Sequence, residues 1–504
     1  MNQNEYLLTY DIGSTAVKLI LFSRDLKPEY IGEKGVKTYQ EDGLQYQKAE
    51  DWWDIVKNLT KKMFEKSSIK KDQIAAVAAT GQMEDCLLLD ASGEPLTEVL
   101  LYSDARAEAE YQFLLDKYGI EKWDQMSGGN FDQLMSINKY LWLKENRSQV
   151  FKEHKHLLLG SKDYLNFKLS GKNYTDYTNA STTGFLDYRS GVLNKELITD
   201  LDLNEAYLPE LKRGDSIIGK VSAKAAAELN LPPGIPIVNG AGDVGASTLG
   251  AGAWSEGDIY CYLGTTGWLA APSETISANK NLFSLKNFDG KNYITAGAVL
   301  NAGQAYDWFL KNILAKKQLS AADYEEVEKR LEKRLTEVKN PIFIPYLNGE
   351  RSPLKVKNEN GIFLNLGPET DLIEMLKSVL EGVSFSLKHN LEAMKLKGFQ
   401  NTKINLIGGG SKGKIWPQLL ADILNREVNI LDLELSAPSL GTAMIALKAL
   451  GEIEEFKELI DKFKVKKEII PRQEFVQKYA EKYNEYREFV QKNLTVLEQW
   501  FYYF

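Results

Sequence analysis

Apolar residues near the start of the chain fall into two short β-type runs separated by a polar turn. Tyr6–Tyr10 is apolar and β-prone, Asp11-Ile12-Gly13-Ser14-Thr15 forms the turn, and Val17–Phe22 is apolar again. The same arrangement returns at Asp258–Ala271, where Ile259–Tyr262 and Gly267–Ala271 flank Leu263-Gly264-Thr265-Thr266. Ile12–Thr15 and Leu263–Thr266 match in residue type position by position, half a chain apart, which predicts an internal duplication of one domain plan. Gln73–Thr80 and Lys403–Ile407 read as buried strands ending in glycine, while Thr370–Met394 and Ile415–Leu424 carry helical periodicity. Strands alternating with helices imply α/β domains, each with a sheet flanked by helices. The boundary is placed near residue 250, at the Gly-rich stretch Gly240–Gly252, giving domains 1–249 and 250–504. Lys316–Lys339, rich in lysine and glutamate, reads as a solvated amphipathic helix.

Composition narrows the classes without choosing among them. A chain of 504 residues exceeds one core and suits two domains. Its net charge of −8, spread without long runs, argues against nucleic acid or an anionic membrane as partner. No apolar run approaches the ~18 residues of a membrane span, and the start MNQNEYLLTYDIGS lacks a signal-peptide pattern, so the cytoplasm is the expected compartment. Cys86 and Cys261 lie far apart with no C-x-x-C partner and read as two buried thiols; three histidines leave little material for His-based metal chemistry.

Two glycine motifs resemble known nucleotide loops and fail on chemistry. Gly240-Ala241-Gly242-Asp243-Val244-Gly245 fits G-x-G-x-x-G, yet Asp243 would repel the pyrophosphate such a loop admits. Gly408-Gly409-Gly410-Ser411-Lys412-Gly413-Lys414 is followed by Ile415, which lacks the hydroxyl that binds magnesium in a P-loop. Three glycines in a row still permit close backbone approach to a ligand.

Phosphoryl transfer needs donors around phosphates, a carboxylate near the metal and a base for the acceptor hydroxyl. Gly13-Ser14-Thr15 and Gly264-Thr265-Thr266 supply free N–H groups and hydroxyls. Asp11 precedes the first turn and could hold Mg²⁺ through water, whereas the second turn has Tyr262 at that place, which suits a single metal site.

Taken together, these blocks resemble the FGGY carbohydrate kinases, with the xylulose kinase and gluconate kinase branches nearest. The resemblance runs almost end to end: Asp11–Thr15, Tyr46–Trp53 (YQKAEDWW), Gly81-Gln82-Met83, Leu101–Arg106 (LYSDAR), Ser136–Asn146 and Thr175–Asp187 (TDYTNASTTGFLD). It continues through Pro345–Pro353 (PYLNGERSP), Leu380–Phe385 and Gly408–Lys412 with Trp416–Leu424; Leu134 departs from the opening of the first signature. The resemblance implies two actin-like, ribonuclease H-like domains, each a mixed sheet flanked by helices, with the active site in the cleft between them and closure over the sugar. It makes Asp243 the general base, with Asp11 beside Mg²⁺. It assigns ATP to Gly13, Ser14, Thr15, Lys18, Gly264, Thr265, Thr266, Gln304, Gly408, Gly409, Gly410, Ser411 and Lys412. It assigns the sugar to Gln82, Met83, Glu84, Asp104, Asp243 and Val244, and it suggests a homodimer.

The sugar is less legible. Typical xylulose kinases have His after G-Q-M and Asn after the catalytic Asp; this chain has Glu84-Asp85 and Val244. Glu84 and Asp85 are acceptors suited to neutral hydroxyls and would repel a sugar acid. The expectation is therefore D-xylulose, with gluconate, ribulose or erythritol as alternatives. An indole of Trp52 or Trp53 is a candidate for stacking on a sugar face or for the core. An actin-like ATPase switch would not need the Gly81–Met83 and Thr175–Asp187 blocks, and a non-catalytic sugar-responsive regulator would not need both Asp11 and Asp243.

Overall fold

The computed structural model describes residues 1, 5–41, 44–128, 132–316, 319–338, 341–356, 360–395, 403–433 and 436–500, with side chains to 493. The chain forms two compact units. The first comprises Met1–Gly250, Ser284–Ile294 and Glu434–Lys462; the second comprises Ala251–Phe283, Thr295–Leu433 and Phe463–Phe504.

The first unit is built on strands β1 (Tyr6–Ile12), β2 (Ala16–Ser23), β3 (Pro28–Gly35), β4 (Ile74–Gly81), β5 (Ile217–Lys220) and β6 (Pro236–Gly242). They form one sheet in the order β5-β6-β4-β1-β2-β3. β1 and β2 make an antiparallel hairpin, β4 runs parallel to β1, and β6 runs parallel to β4. Leu8, Tyr10 and Ile12 share a buried cluster with Trp52, Val56, Leu59 and Met63 of the helix Ala49–Lys66. Strand alternation then sends Leu7, Thr9 and Asp11 to the opposite face.

Helices Asp243–Gly250 and Ala437–Ala449 pack together, and the second of them also lies on β1, β4 and β6. They approach with backbone against backbone. A Cβ on Gly250 would collide with the carbonyl oxygen of Ala437, and one on Gly441 with that of Ala246. Such closeness is available only where both helices carry a residue without a side chain.

The second sheet comprises β7 (Ile259–Leu263), β8 (Gly267–Ser273), β9 (Phe283–Lys286), β10 (Tyr293–Val299), β11 (Ile404–Ile407), β12 (Val428–Leu431) and β13 (Val465–Ile469). Their order is β9-β10-β8-β7-β11-β12-β13. The hairpin β7–β8 stands beside parallel β11, then parallel β12, then antiparallel β13. The first sheet repeats this as β1–β2, β4, β6 and antiparallel β5. The duplication inferred from the two matching turns is therefore one of whole sheets. Helices Leu372–Met394 and Ile415–Leu424 cover the second sheet's core with Val383, Phe385, Leu419 and Leu420. Tyr479, Tyr483 and Tyr486 of helix Gln473–Trp500 add their rings around Phe385.

Several boundaries differ from those read in the sequence. β1 extends through Asp11 and Ile12, so Asp11 is a strand residue paired in register with Lys18. β6 continues through Gly240 and Gly242 and delivers Asp243 directly to the next helix. In Lys316–Lys339 the helix is Ala321–Glu332, capped by Ser320, while residues 317, 318 and 339 lie outside the described residues. Cys86 and Cys261 are both buried free thiols.

Candidate active site

In the first unit, three chain segments meet at the carboxyl ends of parallel β4 and β6 and of β1. The first is the turn after β1, closed by Gly13 N–H donating to the Ala16 oxygen at 3.1 Å. Asp11 sits just before it, 7% exposed, and Lys18 lies across the hairpin. Burial pushes the Asp11 carboxyl up to about 6; Lys18 opposes the rise and Glu33 adds to it. No hydrogen bond among the described residues compensates this carboxylate.

The second segment is the loop after β4. Gln82 N–H donates to the Ile12 oxygen at 3.0 Å, tying this loop to the end of β1. The Gln82 side chain donates to Asp85 Oδ2 at 3.0 Å, leaving Gln82 Oε1 buried without a partner among the described residues. Burial drives the Asp85 carboxyl well above its ordinary range, against Lys139, while Asp243 raises it further. Lys139 is itself buried and donates from Nζ to the Glu84 oxygen at 2.8 Å. Glu84 has a left-handed backbone, with φ of 65°.

The third segment carries Asp243, the first residue of helix Asp243–Gly250. Its Oδ1 accepts from Val244 N–H at 2.8 Å. Burial first, then the charge of Asp11, and less strongly that of Asp176, push the Asp243 carboxyl up to about 7. The charge of Asp11 thus raises the proton affinity of Asp243.

Beneath these loops lies a buried ionic cluster that the sequence did not single out. Lys162 Nζ contacts Asp163 at 2.7 Å and Asp176 at 3.3 Å, and all three side chains are buried. Asp176 caps the short helix Tyr177–Ala180 through Thr178 and Asn179 N–H, and its Oδ2 accepts from Gly242 N–H at 3.1 Å. Asp176 therefore fixes the backbone immediately before Asp243. The signal in the sequence was the TDYTNAS block, but its link to Gly242 spans 66 residues.

Asp104 is buried and held by Arg106, whose Nε lies 2.9 Å from both carboxylate oxygens. Met83 is buried against Gly242. Trp52 and Trp53 are core residues, 1% and 5% exposed, donating to Gln47 and Glu228. The reading of either as a stacking platform gives way to the packing of their helix on the sheet.

In the second unit, β7 and β11 run parallel, so the Gly264 turn and the Gly408 turn lie side by side. Gly264 N–H donates to the Thr266 oxygen at 2.9 Å, and Thr265 and Thr266 are exposed. Gln304 N–H donates to the Thr265 oxygen at 3.0 Å, which places Gln304 behind this turn. Gly408 has φ of +93°, and a Cβ there would strike the Leu263 oxygen. Gly409–Lys412 form one 3-10 turn, in which Ser411 Oγ donates to the Gly408 oxygen at 2.7 Å. The ring of Tyr262 covers Gly264 and stacks on Trp268 with centroids 4.0 Å apart.

Residues 6–250 match the N-terminal domain of the FGGY family of carbohydrate kinases, and residues 259–450 match its C-terminal domain. A xylulose kinase of Bacillus subtilis is 26% identical over 487 residues, 96% of each chain. A ligand-bound xylulose kinase from Lactobacillus acidophilus aligns with TM-score 0.88 at 25% identity, over 98% of this chain and 100% of that one. A gluconate kinase from Lactobacillus acidophilus aligns with TM-score 0.87 at 26% identity, over 97% and 98%. With both family domains matched in order along a duplicated pair of sheets, the chain belongs to the FGGY family of carbohydrate kinases, ATP-dependent phosphotransferases of the two-domain actin-like fold.

Proposed function

We propose that this kinase phosphorylates a small neutral sugar, first among them D-xylulose, converting D-xylulose and ATP to D-xylulose 5-phosphate and ADP. The observation that carries the reading is the Asp243 carboxyl, pushed up to about 7 at the opening of its helix. A carboxylate with that proton affinity accepts the proton of an attacking hydroxyl efficiently near neutral pH. The domain of residues 1–249 holds the sugar and the base, with Gln82, Met83, Glu84, Asp104 and Val244 around the acceptor. The domain of residues 250–504 holds ATP through Gly264, Thr265, Thr266, Gln304 and Gly408–Lys412. Gly13, Ser14, Thr15 and Lys18 are assigned to the phosphates of ATP.

Asp11 fits a magnesium role, since a buried carboxylate without a hydrogen-bond donor gains from a nearby cation. Among the described residues no group of three or more His, Cys, Asp or Glu side chains gathers to hold a metal. That suits an ion coordinated mainly by phosphates and water, with Asp11 as its protein-side anchor. When bound, magnesium offsets the charge on the phosphates. The protein's own residues orient the hydroxyl, accept its proton at Asp243 and donate N–H groups to the transferred phosphoryl oxygens.

The relatives named xylulose kinases support the ketopentose. The gluconate kinase of comparable likeness supports a second reading. Against it stands Glu84, an acceptor suited to neutral hydroxyls and not to a carboxylate; Lys139 donates to its backbone oxygen. ADP release is measured with D-xylulose, L-xylulose, D-ribulose, L-ribulose, gluconate, glycerol and erythritol. Stimulation by D-xylulose above the others supports the reading; stimulation by gluconate alone replaces it with the second.

A further inference from the structure

One buried amide joins the two substrate-facing loops of the first unit. Gln47 ends the strand Leu44–Gln47 and is fully buried. Its Nε2 donates to the backbone oxygen of Ser14 at 2.7 Å and to Thr38 Oγ1 at 3.1 Å. Its Oε1 accepts from Trp52 Nε1 at 3.0 Å and, at 3.5 Å, from Gln82 Nε2. Gln82 Nε2 also donates to Asp85, and Gln82 Oε1 has no partner among the described residues.

Both hydrogens of the Gln47 amide and both lone pairs of its oxygen are therefore directed at named groups. Turning the amide over, or moving it away from either loop, would leave a buried donor or acceptor bare. The side chain has one acceptable pose, and that pose depends on the positions of the Ser14 turn and the Gln82 side chain together. We propose that Gln47 is a positioning residue that couples the phosphate turn to the acceptor-sugar loop, so that nucleotide and sugar each tighten the binding of the other. The inference rests on the reading that Ser14 faces ATP and Gln82 faces the sugar. Ordering of the turn by phosphate fixes the Ser14 oxygen, hence Gln47, hence the orientation in which Gln82 presents its free oxygen to a sugar hydroxyl. Linkage makes the effect reciprocal.

Calorimetric titration of Mg·AMP-PNP with and without saturating D-xylulose, and the reverse, gives the coupling as a ratio of dissociation constants. In the unaltered protein the ratio is expected to be about fivefold or more. Gln47→Met, which keeps shape and loses all four hydrogen bonds, is expected to bring it below about twofold. Gln47→Glu retains the acceptor for Trp52 and Gln82 but, when ionised, cannot donate to Ser14, and is expected to lose coupling as well. Trp52→Phe removes a hydrogen bond to the same amide that reaches neither loop. It should lower the melting temperature while preserving the ratio, which separates positioning from general stability.

A folded Gln47→Met or Gln47→Glu protein with the unaltered ratio overturns the proposal. So does an unaltered protein that phosphorylates D-xylulose but whose nucleotide affinity ignores it. A protein that neither binds nor phosphorylates D-xylulose overturns the substrate reading, and the coupling to that sugar with it.

Discussion

A Cβ placed on Gly242 would stand 2.6 Å from the Sδ of Met83, so the end of β6 and the loop after β4 touch with no room for a methyl group. Gly242 directly precedes Asp243, and its N–H is held by Asp176 at 3.1 Å. Gly242→Ala should push Met83 or the base out of place rather than unfold the sheet. Since a misplacement near 1 Å costs about 10²-fold in rate, kcat/KM for the sugar should fall by about that factor. Steady-state kinetics beside a thermal melt checks it; unchanged kinetics would remove this contact from the account.

Asp11 and Asp243 are raised to about 6 and about 7 in the folded protein, chiefly by burial. Glu350 in the second unit is raised to about 8 by burial, against backbone N–H donors. A carboxyl whose folded value lies above its unfolded one binds its proton more tightly in the native state. Stability should therefore fall as pH rises from about 4 towards 6 at Asp11, 7 at Asp243 and 8 at Glu350. At pH 8 without ligands, Asp11→Asn and Asp243→Asn should each raise the melting temperature while abolishing most activity. Glu350→Gln should flatten the decline at alkaline pH. In the unaltered enzyme, kcat/KM for the sugar should climb with pH and level off above about 7, because the base must be ionised in the free enzyme.

Helices Asp243–Gly250 and Ala437–Ala449 meet at Gly250 and Gly441, where any side chain would strike backbone oxygen. Gly441→Ala cannot be absorbed by a rotamer change and should cost about 1–3 kcal/mol through overpacking. The same substitution should tilt the helix that opens with Asp243. Denaturant unfolding with activity recorded on the same samples tests both effects. A variant of unaltered stability would show that the helices have slack here.

The duplication and its two matching turns are legible in the sequence because they are local. A strand, a Gly-Ser-Thr or Gly-Thr-Thr turn and a second strand leave their signature within a dozen residues. Asp243 was legible for a similar reason, as a carboxylate among glycines where a dinucleotide loop would not tolerate one. The apolar run stops at Tyr10, which puts Asp11 in the turn, yet pairing with Lys18 and Thr80 carries the strand two residues further. The placements of Gln47 and Asp176 are not legible in the sequence. Their partners lie 33 and 66 residues away, and only the fold brings a buried amide to Ser14 or a carboxylate to Gly242. For Trp52 and Trp53 the sequence leaves a sugar platform and the core both open, since aromatic character alone does not distinguish them, and burial decides for the core.

The most direct test of the account is product formation by Asp243→Asn in the presence of Mg·ATP and the preferred sugar, followed by phosphorus NMR beside nucleotide binding. The substitution keeps size and the hydrogen bond from Val244 but removes the proton acceptor. The expected result is sugar phosphate formed about 10²- to 10⁴-fold more slowly than by the unaltered enzyme, with nucleotide affinity preserved. An Asp243→Asn enzyme that makes the phosphate ester at the unaltered rate would contradict the assignment of the base.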